Sequence, residues 1–65
     1  MDLSKSLRIS IATKGIRQKE LAESLSTSRQ QIGIWLATGV IKQSSLVDIC
    51  KYFEVKVSEF IKLGE

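Results

Sequence analysis

Apolar positions recur at helical spacing along the whole chain, and the stops between them predict where each helix ends. Leu3, Leu7 and Ile11 repeat every four residues, with Ala12 expected to widen the stripe, and Gly15 offers a helix-ending residue just beyond Lys14. After Arg17, a shorter stripe of Leu21, Ala22 and Leu25 carries Glu20 and Glu23 on its outer side, which predicts a second helix. Ser28 stands three residues before Gln31, and the pair forms a capping-box signature for a third helix. The buried face of that helix is Ile32, Trp35 and Leu36, and its stop is Gly39. Ser44 or Ser45 is expected to cap a fourth helix with the stripe Leu46, Ile49, Cys50 and Phe53. Val57, Phe60 and Ile61 predict a short fifth helix ending at Gly64. Val55-Lys56-Val57 alternates too briefly to predict a strand, and there is no proline, repeat, low-complexity segment or internal linker. The expectation is a single all-α domain over residues 1–65, built as a compact five-helix unit.

The spacing of helices two and three adds to that picture. A helix from Gln18 to Leu25, a turn through Ser26, Thr27 and Ser28, and a further helix have the length of a helix-turn-helix unit over about residues 18–37. Ala22 suits such a unit, because two short helices meeting near a right angle need a small side chain where their backbones approach. Leu21, Leu25, Ile32 and Trp35 would fill the wedge between them. At about 100° per residue, Ile32, Trp35 and Leu36 fall on one arc of the third helix, and Gln30, Ile34 and Ala37 on roughly the opposite one.

Charge gives that outward arc a meaning. No acidic residue occurs between Glu23 and Asp48, and the middle of this stretch reads Thr27-Ser28-Arg29-Gln30-Gln31-Ile32-Gly33-Ile34-Trp35. A surface held against a polyanion excludes carboxylates and uses Arg, Gln, Ser and Thr, so the window is suited to lie on nucleic acid. The formal net charge of +3 and pI near 9.3 add a mild attraction to anions. Other function classes fall away. A domain of this size buries only about 60% of its unfolded-chain surface and has little room for a catalytic pocket. With no His, neither a Cys–His nor a Ser–His pair can form, and the carboxylates are scattered on helix exteriors, so no enzyme is indicated. Cys50 has no cysteine partner for a disulfide and no His to share a metal with. No cofactor or metal is expected. No window approaches the ~20 apolar residues of a spanning helix, and a reducing cytoplasm fits the composition.

The segment Gln18-Lys19-Glu20-Leu21-Ala22-Glu23-Ser24-Leu25-Ser26-Thr27-Ser28-Arg29-Gln30-Gln31-Ile32-Gly33-Ile34-Trp35 resembles the helix-turn-helix of the lambdoid phage repressor and Cro group, the XRE family. Leu46 to Ile61 is similar to the fourth and fifth helices of that group, so the resemblance covers nearly the whole chain. Its most telling parts are the Gln opening helix two, the Leu-Ala pair, the hydroxyl pair before helix three and the Ile32/Trp35 spacing. The chain departs from the family pattern at Ser26, which stands where a turn glycine is usual and so predicts a left-handed residue with a side chain. The segment from Trp35 to Gly39 is about one residue longer than the common form. Val40-Ile41-Lys42-Gln43 lacks the usual proline and basic residues, and leaves Lys42 as the only cation of its loop.

Carried over by resemblance, Ser28, Arg29, Gln30 and Ile34 face base edges in the major groove, with Gln31 toward the flank. Arg29 would pair two donors with the O6 and N7 of guanine, Gln30 would exchange a donor and an acceptor with adenine, and Ile34 would pack a thymine methyl. Gln18 would open helix two against a phosphate, with Arg17, Thr27, Thr38, Lys42, Gln43 and Ser44 as further backbone contacts that position without reading. Each has a plainer alternative: a solvated face for Arg29 and Gln30, the capping box alone for Gln31, a protein interface for Ile34, simple tolerance for Gly33. Trp35 and Cys50 read as core. The resemblance implies a sequence-specific double-stranded DNA binder, a Cro-like phage or prophage repressor that pairs as a weak homodimer on near-palindromic operators. An antitoxin or accessory factor modulated by a partner protein is the second reading, and a protein-interaction adapter that no longer binds DNA the third. Val47, Val55, Val57, Ile61 and Leu63 offer apolar surface for a dimer or for closing the core.

Overall fold

The computed structural model describes residues 3–65 and contains five helices: α1 (Ser4–Lys14), α2 (Gln18–Ser24), α3 (Arg29–Thr38), α4 (Gln43–Phe53) and α5 (Val57–Leu63). Among the described residues there is no strand, and Lys56 between Val55 and Val57 is the residue that precedes α5. α3 packs on α2 and on α1, α1 packs on α5, and α5 packs on α4. The core they enclose holds Leu7, Leu21, Ile32, Ile49 and Phe60, all fully buried, with Leu3, Ala22, Trp35, Leu46 and Cys50 around them. Each large apolar side chain moved from water into such a core contributes roughly 1.5–3 kcal/mol before entropy is counted. Val55, Val57 and Ile61 pack against this core as half-buried residues, while Leu63 remains exposed.

Three helices end in one geometry. After α1, the amide of Gly15 donates to the Ala12 carbonyl (3.2 Å) and that of Ile16 to the Ile11 carbonyl (3.3 Å). After α2, Ser26 donates to Glu23 (3.2 Å) and Thr27 to Ala22 (2.9 Å), and after α4, Glu54 donates to Lys51 (3.2 Å) and Val55 to Cys50 (3.0 Å). These are Schellman ends, in which a left-handed residue turns two amides back onto carbonyls that the helix leaves open. Gly15 takes that conformation at φ 71° without steric cost, but Ser26 (φ 54°) and Glu54 (φ 57°) take it with a Cβ. The strained Ser26 is the residue that the missing family glycine predicts. Ser26→Gly and Glu54→Gly are each expected to stabilise the domain by about 1 kcal/mol in urea unfolding. A loss of stability in either would show that the side chain makes a contact outweighing its backbone strain.

The structure departs from expectation in two places. Ala12 is exposed, and the buried stripe of α1 is instead Leu3, Ser6, Leu7 and Ser10, with Ile11 half-buried. Ala12 projects about 140° from Leu7 on the helical wheel, away from α5 and α3, whereas two small serines allow close packing on the buried side. The Ser6 hydroxyl has no hydrogen-bond partner among the described residues. The start of α4 also differs. Its N-cap is Lys42 (φ −68°, ψ 153°), which has no side-chain cap bond, and the amide of Leu46 already donates to the Lys42 carbonyl (2.9 Å). Ser44 and Ser45 therefore lie inside the first turn and cap nothing, because the chain begins to wind directly after the extended Lys42.

Candidate nucleic-acid interface

α3 is held at both ends and along its underside. Ser28, in extended backbone, accepts the Gln31 amide on its hydroxyl oxygen (3.1 Å), which satisfies one of the open donors of the first turn. At the other end Gly39 is left-handed (φ 71°), and its carbonyl accepts the amide of Leu3 (3.0 Å), tying the end of α3 to the start of α1. The Thr38 hydroxyl donates to the Ile34 carbonyl (2.8 Å) and accepts the Val40 amide (3.2 Å). Below, Ile32 is fully buried and Trp35 is 5% exposed.

The opposite side of the helix carries nothing that the fold needs. Gln30 and Ala37 are exposed there and Ile34 keeps 45% of its surface in solvent, while Arg29 and Thr38 are exposed nearer the flanks. Gln31 and Gly33 are half-buried along the flanks. A Cβ placed on Gly33 would meet no atom within 4 Å, so packing inside this chain does not require glycine there, although it costs about 1 kcal/mol against Ala in a helix. The ten residues of α3 make a rod about 15 Å long, thin enough for the major groove.

Cationic and amide side chains gather near both ends of this rod. At its start, Arg29 lines an open crevice of about 500 Å³ together with Ile11, Ile16, Arg17, Gln18 and Lys19. Among the described residues, no carboxylate lines that crevice. Beyond its end, the loop leads to Lys42, Gln43 and Ser44, all exposed at the beginning of α4. Thr27 is half-buried in the turn. Ser28 still holds a hydroxyl hydrogen to donate, because its bond to Gln31 uses an oxygen lone pair. Thr38 does not: its hydrogen is directed to Ile34, and a phosphate oxygen can only accept. In the free domain Thr38 thus closes the last turn of α3, and a phosphate contact from it requires its hydroxyl to turn away from the Ile34 carbonyl.

Lys19 is the residue that the sequence did not single out. In the sequence it is one more cation two positions after Arg17, and only the approach of the start of α3 to the first turn of α2 brings it beside Arg29. Cys50 is 3% exposed, burial pushes its thiol pKa up, and a thiol that resists ionisation in the core is a poor nucleophile.

Two short helices joined by a tight turn, with the second pinned from below and bare above, define a helix-turn-helix (HTH) DNA-binding domain. The chain belongs to the Cro/C1-type HTH DNA-binding domains, whose family model matches residues 6–64. That span takes in nearly all of the five helices and agrees with the XRE-type resemblance of the sequence. Neither the curated proteins nor the solved structures gave a match to the chain. Among the described residues, no helix is long and apolar enough to cross a membrane.

Proposed function

We propose that this domain is a Cro-like repressor of phage or prophage type, which reads a double-stranded operator by laying the outer face of α3 in the major groove. The observation that carries this reading is the division of α3: Ile32 and Trp35 are buried while Gln30 and Ile34 face solvent on an acid-free surface. Gln30 supplies a donor and an acceptor for adenine, Ile34 an apolar contact for a thymine methyl, and Ser28 and Gln31 flanking polar contacts. Gln18 and Arg17 on one side, with Lys42, Gln43 and Ser44 on the other, hold the phosphates and set the register. Two copies on a near-palindromic site would place their α3 helices about 34 Å apart in successive grooves, the domain pairing weakly and acting in the bacterial cytoplasm. Occupying such a site excludes polymerase.

Selecting bound duplexes from a random pool would give the bases, their symmetry and the half-site spacing together. Affinity for the recovered duplex is expected to fall steeply with salt, with a log–log slope of about −0.9 for each phosphate neutralised. A flat response would remove DNA as the ligand. A second protein copurifying in fixed proportion would favour the antitoxin reading.

A further inference from the structure

We propose that Arg29 grips a backbone phosphate together with Arg17, Gln18 and Lys19, so that it supplies affinity and register and leaves base discrimination to Gln30 and Ile34. This assignment rests on the reading of α3 as a DNA-contacting helix and departs from the guanine contact that family resemblance implies for Arg29.

Two independent observations carry it. On the helical wheel Arg29 lies only about 60° from the fully buried Ile32, whereas Gln30 and Ile34 lie about 160° away on either side, so Arg29 leaves the helix toward its flank. On that flank its side chain lines the same crevice as Arg17, Gln18 and Lys19. Three cations and an amide donor thus meet in one open space, at the corner between α1 and α2, with no carboxylate among the described lining residues. The crevice gathers as many positive charges as the whole chain carries in formal excess. Its remaining walls are Ile11 and Ile16, apolar surface that lowers the local dielectric and strengthens the attraction of those cations for an anion. A phosphate diester suits the site, because its two unesterified oxygens accept several charged donors at once and match the planar fork of a guanidinium. A guanine edge offers no negative charge to offset three neighbouring cations.

The test compares wild type with Arg29→Ala, Arg29→Lys, Lys19→Ala and the Arg29→Ala/Lys19→Ala double variant, on the selected duplex and on a random duplex. If Arg29 is a clamp, Arg29→Ala weakens binding to both duplexes by a similar factor of about ten, and the salt slope falls by about one. Arg29→Lys, which keeps the charge and loses the fork, stays within a few-fold of wild type. The double variant loses less than the product of the two single losses, because both side chains act on one phosphate. The assignment is overturned by a loss confined to the selected duplex, by an Arg29→Lys change as damaging as Arg29→Ala, or by a silent Lys19→Ala. Wild type that binds neither duplex would instead refute the DNA reading itself, before any variant is compared.

Discussion

Phe60→Ala is expected to leave much of the chain unfolded at room temperature. Phe60 is fully buried, on the helix that packs against both α1 and α4. Truncating a buried Phe to Ala removes its transfer free energy and leaves a cavity, together about 3–5 kcal/mol. A domain of 65 residues has only about 3–10 kcal/mol of stability in total, at 0.05–0.15 kcal/mol per residue. One substitution far from α3 therefore consumes a third or more of what holds α3 in place. Circular dichroism should show helicity lost at a much lower temperature than in wild type, with DNA binding lost in parallel. A variant as stable as wild type would mean that the core collapses around the gap, or that α5 contributes little to it.

Gln30→Glu should do the opposite, leaving the fold intact while abolishing recognition. Gln30 is exposed in the first turn of α3, where a carboxylate interacts favourably with the helix dipole by about 0.3–1 kcal/mol. Stability should hold or rise slightly. On DNA, the substitution removes the amide donor, which is half of the contact with adenine proposed for Gln30, and such a contact discriminates by about 1–3 kcal/mol. It also sets a negative charge between phosphate strands. Together these predict a loss of about 3 kcal/mol, roughly a hundredfold in affinity, in a protein whose melting temperature has not fallen. Unchanged binding would take Gln30 off the reading face. The contrast between the two variants separates the residues that build the domain from those that use it.

Much of this architecture is legible in the sequence for a simple reason. The repeats at Leu3, Leu7 and Ile11, at Ile32 and Trp35, and at Leu46, Ile49 and Cys50 are local statements about which side of a helix is apolar, and tertiary packing only has to agree with them. Gly15, Gly39 and the Ser28 cap are equally local, and each stands where its chemistry predicts. What the sequence leaves open depends on distant neighbours. Any of Lys42, Gln43, Ser44 or Ser45 can precede a helix, and Lys42 does so without using a capping side chain at all. Ser6 and Ser10 carry no apolar signal, yet they are buried where α1 meets other helices. Glu54 adopts a left-handed backbone because α4 must turn into α5 there, a demand that propensity alone does not reveal.

The same division applies to the candidate interface. The outward side of α3 follows from the spacing of Gln30 and Ile34 against Ile32 and Trp35, and the structure keeps the first pair in solvent and the second in the core. The grouping of Lys19 with Arg17 and Arg29 does not follow from spacing, because it joins the beginnings of two helices across a turn and closes against Ile11 of a third. A sequence lists Arg29 ten or more positions from Lys19 and Arg17, and only the fold makes it their neighbour.

Amide chemical-shift mapping during titration with the selected duplex locates the DNA-binding face residue by residue. Perturbations are predicted to concentrate in residues 17–19, 28–34 and 42–44, with those of α5 remaining near their free values. Shifts centred on α4 and α5, with α3 unaffected, would contradict the claim that the outer side of α3 is the surface that meets DNA.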